Sequence, residues 1–176
     1  MRLFFAINFS DGIKNRIAKI QDELRRQSLK GIFPRRENFH LTLAFLGETP
    51  EEKLPSLHKI LAKIYVPQFD VAFNRTGCFV RRSKEIWWIG AEGGSPGLLQ
   101  LEEVQGQLSG LLPEALFPVD TRPFRAHITI GREVTHKGRI SLAPPDLNIR
   151  VDRISLMKSE QIHGVLTYTE LYPHQE

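Results

Sequence analysis

Two short segments of this chain carry a histidine with a threonine two residues later. They are His40-Leu41-Thr42-Leu43 and, about half the chain further on, His127-Ile128-Thr129-Ile130. Side chains on an extended strand alternate between its two faces. Leu41, Leu43 and Phe45 therefore share one face of the first segment, with His40, Thr42 and Ala44 on the other. In the second, Ile128 and Ile130 oppose His127 and Thr129. Each segment hides aliphatic residues and presents an imidazole and a hydroxyl about 7 Å apart, a spacing at which both reach one small group such as a phosphate. Imidazole titrates near neutral pH, so of two facing rings one can be neutral and the other protonated. One takes a proton from water and the other gives a proton to a leaving oxygen, each transfer being worth about 10²- to 10⁴-fold in rate. The hydroxyls can donate to nonbridging oxygens and stabilise developing charge. In-line attack on a phosphodiester needs base and acid on opposite sides of phosphorus, which two facing strands supply without a metal.

One such segment alone is an ordinary strand, since threonine favours strands. Its return with the same two faces favours the chemical reading. His58, His136, His163 and His174 have no comparable echo and read as structural or solvated. Zinc usually needs three or four clustered ligands, and Glu37 is the one carboxylate within four residues of either motif histidine. No metal or cofactor is therefore expected. Cys78, within Gly77-Cys78-Phe79-Val80, reads as buried rather than nucleophilic. Gly93-Gly94-Ser95-Pro96-Gly97 lacks the lysine and spacing of a phosphate-cradling loop.

The elements that must position these residues are mixed. Arg2 to Phe9 reads as a strand. Ser10 or Asp11 offers a cap to a helix with Ile13, Ile17, Ile20 and Leu24 on its apolar stripe, ended by Gly31. A short strand is placed at Ile32 to Pro34. Thr49 as N-cap, Pro50 at the first position and Glu52 at the third open a second helix, with Leu54, Leu57, Leu61 and Ile64 inward. Phe69, Val71 and Phe73 alternate as a strand, continued by Cys78 to Val80 beyond a turn. Glu85 to Ala91 is another strand. Leu98, Leu101, Val104, Leu108 and Leu111 mark a third helix, and Phe124 to Ile130 carries the second motif. Ile149 to Met157 and Val165 to Tyr172 alternate on either side of Gly164 and read as a hairpin. Strand, helix and motif strand thus occur twice, which points to an α+β, bilobal fold: two pseudo-symmetric lobes of antiparallel sheet with flanking helices around a central cleft.

The 176 residues are 41% hydrophobic and 25% charged, with one cysteine and a net charge of +4. This suits a globular chain, read as one bilobal domain over residues 1–176, without a disulfide framework. No signal peptide or membrane-length apolar run is recognised, so a cytoplasmic protein without a membrane partner is expected. Arg25-Arg26, Arg35-Arg36 and Arg81-Arg82 are too short to be nucleic-acid tails, and each pair on its own reads as solvated surface.

The segments "ENFHLTLAFLGE" and "FRAHITIGR" resemble the paired motifs of the 2H phosphoesterase superfamily, and within it the RNA 2′,3′-cyclic phosphodiesterases, also described as 2′-5′ RNA ligases. "RLFFAINF" and "ISLMKSEQIHGVLTYTELY" are similar to that family's ends, so the resemblance covers nearly the whole chain. It implies metal-independent opening of a 2′,3′-cyclic phosphate on RNA ends or cyclic nucleotides to a 2′-phosphomonoester. His40 would be proton donor and His127 proton acceptor, with Thr42 and Thr129 on the phosphate. Symmetric motifs do not orient these roles by themselves. Ala126 stands where the family often has proline, and Gly131 where alanine is usual. Arg132 alternates away from His127 unless the strand bends at Gly131. A cleft within one chain suits a monomer. The alternatives are 2′-5′ ligation, the same chemistry reversed, and a non-catalytic RNA-end or nucleotide-binding module.

Overall fold

The computed structural model describes residues 1–173. Along them run β1 (Arg2–Asn8), α1 (Asp11–Gln27), β2 (Lys30–Ile32), β3 (His40–Glu48), α2 (Leu54–Lys63), β4 (Phe69–Arg81), β5 (Lys84–Ala91), α3 (Pro96–Leu111), β6 (His127–Thr135), β7 (Leu147–Val151), β8 (Ser155–Ile162) and β9 (Val165–Pro173). The strands form two antiparallel sheets, ordered β3-β1-β8-β9 and β2-β6-β5-β4-β7. The sheets correspond strand by strand. β3 matches β6, β1 matches β5, β8 matches β4 and β9 matches β7, with β2 added outside β6. Each motif strand pairs with the strand that precedes a helix, as β1–α1–β3 and as β5–α3–β6. This is an α+β fold built on two antiparallel sheets, and the echo seen in the sequence is its internal symmetry.

One continuous core joins the sheets: Leu3, Phe5 and Leu41 from the first, Val71, Ile89 and Ile128 from the second, and Ile17, Leu57 and Leu101 from the helices. Burying such a side chain fully contributes about 1.5–3 kcal/mol. α1 packs on β6 and β7, while α3 packs on both β3 and β4. The helices thus fix the position of one motif strand relative to the other.

Ser10 caps α1, its Oγ accepting from the Ile13 N–H at 3.4 Å. The helix ends at Gln27 with Ser28 at its C-cap, whose Oγ donates to the Leu24 carbonyl at 2.7 Å. Gly31, expected to end the helix, lies instead inside β2, which is shifted from the expected Ile32 to Pro34. Thr49 does not cap α2. It is buried, its Oγ donates to the Gly47 carbonyl at 3.3 Å, and a 3-10 turn at Glu51–Lys53 leads into the helix. β4 is one strand rather than two: a bulge between Phe73 and Arg75 replaces the expected turn. The run Ile149 to Met157 is divided between sheets, β7 closing the second and β8 entering the first. The final hairpin is β8–β9, with Gly164 in its turn at φ 78°. Cys78 is half-buried. His174 lies outside the described residues.

Candidate active site

β3 and β6 pack against one another where the two sheets meet. Leu41 and Leu43 are buried on β3, as are Ile128 and Ile130 on β6, while His40, Thr42, His127 and Thr129 are partly exposed. Phe45 departs from the alternation and is 54% exposed, with Leu46 taking the inward place. The β1–β3 pairing slips twice, between Leu3 and Phe4 and between Phe5 and Ala6. Past Ala44 the strand therefore turns its faces over, and Phe45 lies beneath the Arg2 guanidinium at 5.0 Å.

Both motif histidines are held in the same way. Nδ1 of His40 donates to the Asn38 carbonyl at 2.7 Å, and Nδ1 of His127 donates to the Arg125 carbonyl at 2.6 Å. A carbonyl only accepts, so each Nδ1 carries the proton and each neutral ring presents a bare Nε2. At His40 that nitrogen accepts from the Thr42 hydroxyl at 2.9 Å. At His127 it has no protein partner among the described residues, nor has the Thr129 hydroxyl. Burial lowers the pKa of both imidazoles below the usual histidine value, the carbonyl hydrogen bonds oppose this, and the positive charge of Arg132 lowers both further. His40 also feels His127 and Lys14. One guanidinium acting on both rings, and one ring acting on the other, place the two motifs in a common electrostatic site.

Arg132 is where alternation alone misleads. Gly131 pairs with Trp87 and Val134 with Glu85, so Arg132 and Glu133 together face a single residue of β5. This bulge, with Glu133 at φ 50°, redirects Arg132. Gly131 is tightly enclosed: a Cβ there would lie 2.9 Å from Leu24 and 3.0 Å from Val134.

Aromatic rings frame each imidazole. His40 lies 4.9 Å from the Phe4 ring and 5.1 Å, edge-on, from Tyr168. His127 meets Phe79 edge-on at 5.4 Å, and Phe79 leans on Trp88 at 5.4 Å. The Trp88 indole lies flat over two glycines, since a Cβ on Gly77 or Gly90 would come within 2.4 or 2.9 Å of it. A pocket of about 230 Å³ opens here, lined by Phe79, Trp88, Leu98, Phe124 and His127. A larger depression, about 720 Å³, lies between the start of α1 and β7 and includes neither motif histidine. Gly77 and Gly90, each inside a strand, are the sequence signal for such a close approach. Tyr168 and Phe4 gave no such signal.

Two buried amides brace the site. Asn38 donates to the Leu166 carbonyl at 2.8 Å, tying the turn before β3 to β9. Gln21 of α1 donates to the carbonyls of Ile130 and Pro34, each at 2.9 Å, fixing β6 beside its own motif. Two imidazoles, two hydroxyls and a guanidinium thus lie on two strands that meet, groups whose chemistry suits an anion.

Comparison with known proteins agrees. The family described as LigT like Phosphoesterase matches residues 7–88. A relative named RNA 2′,3′-cyclic phosphodiesterase from Escherichia coli strain K12 is 30% identical over 180 residues, spanning 97% of this chain and 93% of its own. One of the same name from Archaeoglobus fulgidus is 34% identical over 134 residues, spanning 75% and 72%. Among solved structures, a Thermus thermophilus protein superposes with a TM-score of 0.83 at 27% identity, covering 99% of this chain and 97% of its own. E. coli LigT complexed with 3′-AMP gives 0.83 at 28% identity, covering 98% and 95%. The chain belongs to the LigT-like phosphoesterase family, among the RNA 2′,3′-cyclic phosphodiesterases.

Proposed function

We propose that this protein hydrolyses the 2′,3′-cyclic phosphate at an RNA end to a 2′-phosphomonoester, with no metal in the reaction. His127 takes a proton from water through its bare Nε2. The water oxygen bonds to phosphorus, the bond from phosphorus to the 3′ oxygen breaks, and that oxygen takes a proton from His40 Nε2. Once His40 is protonated its Nε2 donates, so Thr42 no longer needs to give its hydroxyl hydrogen to the ring and can turn it to a phosphate oxygen. Thr129 contributes the second hydroxyl, and Arg132 a fixed positive charge toward the developing negative charge. The aromatic pocket beside His127 suits a nucleobase.

The observation that carries this reading is the matched tautomer of the two rings, each with Nδ1–H committed to a carbonyl two residues back and Nε2 left for chemistry. The open Nε2 of His127 supports its role as base. The solved complex of E. coli LigT with 3′-AMP supports a nucleotide ligand. The test is hydrolysis of an oligoribonucleotide ending in a 2′,3′-cyclic phosphate, in the presence of chelator. His40→Ala and His127→Ala should each lower kcat by about 10²- to 10⁴-fold. Full activity in either variant, or loss of wild-type activity with chelator and its return with a divalent cation, would overturn the proposal.

A further inference from the structure

We infer that the β4–β5 ribbon is an arm that holds the RNA strand leading into the site. The inference rests on the reading of the site as one for RNA ends. Residues 75, 77, 79 and 81 share one face of β4, and that face reads arginine, glycine, phenylalanine, arginine. It is the face of Trp88 and His127: Gly77 pairs with Trp88, while Arg75 pairs with Gly90, which pairs in turn with His127. Arg75 is therefore two strands, about 10 Å, from His127 across Gly90, which the Trp88 indole covers, and Arg81 is about 20 Å further along β4. Cations at both ends of an aromatic platform are what a single-stranded nucleic acid needs, phosphates on the cations and bases on the rings.

Two further observations bear on this ribbon. The exposed guanidinium groups of Arg75, Arg81 and Arg82 make no hydrogen bond or ion pair among the described residues. Around the opposite motif the arginines are engaged: Arg35 with Glu37 at 3.4 Å, Arg36 with Asp11 at 2.9 Å, and Arg2 over Phe45. The turn itself is the second. Arg82 and Ser83 join β4 to β5 in two residues, with φ of 48° and 63°. Such a turn favours asparagine or glycine, and the β8–β9 turn accordingly has Gly164. Placing arginine here costs backbone energy of about 1–2 kcal/mol, and strain retained at an exposed tip points to a use for the side chain.

The test is binding and turnover with the whole chain. The probe for binding is a 5′-labelled oligoribonucleotide of about ten nucleotides, ending in a 2′-phosphate so that it is not consumed. With about three phosphates held, log Kd plotted against log salt should have a slope of about 2. Arg81→Gln/Arg82→Gln should weaken binding about fivefold and reduce that slope by about 1.4. The same variant should lower the ratio of kcat/KM on the cyclic-phosphate oligomer to that on the cyclic mononucleotide. Arg26→Gln/Arg153→Gln removes equal charge elsewhere and should leave slope and ratio near wild type. An unchanged slope in Arg81→Gln/Arg82→Gln, an equal loss in the control variant, or no binding by wild type would overturn the arm. If wild type binds the probe with this salt dependence but hydrolyses neither substrate, the proposed activity fails and the arm stands.

Discussion

His40 and His127 are buried enough to disfavour the charged imidazole, and Arg132 adds to that, so both pKa values lie below about 6.5. The form with one ring protonated is then most populated on the acid side of that value. The profile of kcat/KM against pH should peak below about 6.5, and the profile of kcat should peak higher, because a bound phosphate favours the imidazolium. Arg132→Gln removes a charge that lowers both values. Both ring titrations, followed by NMR, should move up, with phosphate affinity falling as well. Unmoved titrations would show that Arg132 does not act on the pair. The two protons belong to a coupled pair, so the measured steps describe both rings together. The same lowering affects stability: the unfolded chain binds these protons more tightly, so stability is lost as pH falls from about 6.5 through the lowered values.

At the scale of elements, local pattern predicted the inner and outer faces at each motif, because alternation needs no partner, although the second motif strand begins at His127 rather than Phe124 and runs on to Thr135. It failed where two strands meet out of step. Phe45 turned outward because β1 and β3 slip against one another, and Arg132 was redirected by a bulge that exists only once β6 pairs with β5. The expected cap at Thr49 gave way to a buried threonine beside the N-terminal strand. Its N–H donates to the Met1 carbonyl at 2.7 Å, and its own carbonyl accepts from the Met1 amine at 2.8 Å. The β4–β5 turn supplies a prediction at this scale. Ser83→Gly relieves a left-handed residue while adding freedom to the unfolded chain, for a net gain of about 0.5–1 kcal/mol. Tm should rise by about 2–3 °C. A lower Tm would show that the serine side chain holds the turn.

At the scale of the molecule, the two sheets share one core and the helices lean across both. Residues 1–176 should therefore unfold as one unit. Trp87 and Trp88 both lie in β5 and report the second sheet by fluorescence, while far-UV circular dichroism reports the whole chain. The two denaturation curves should coincide, and separate midpoints would reveal two independent lobes.

The sequence by itself determined the two motifs, their buried and presented faces as far as Ala44 and Ile130, the three apolar helix stripes and the doubled order of strand, helix and motif strand. All of these are periodicities within one segment, set by backbone geometry and the burial of apolar side chains. Tertiary structure alone decided that β3 and β6 meet, that Tyr168 of the last strand stands beside His40, that a bulge takes Arg132 out of the plain alternation, and that one alternating run divides between two sheets. Those outcomes depend on which strands pair and in what register, and that choice is settled by contacts between residues far apart in the chain.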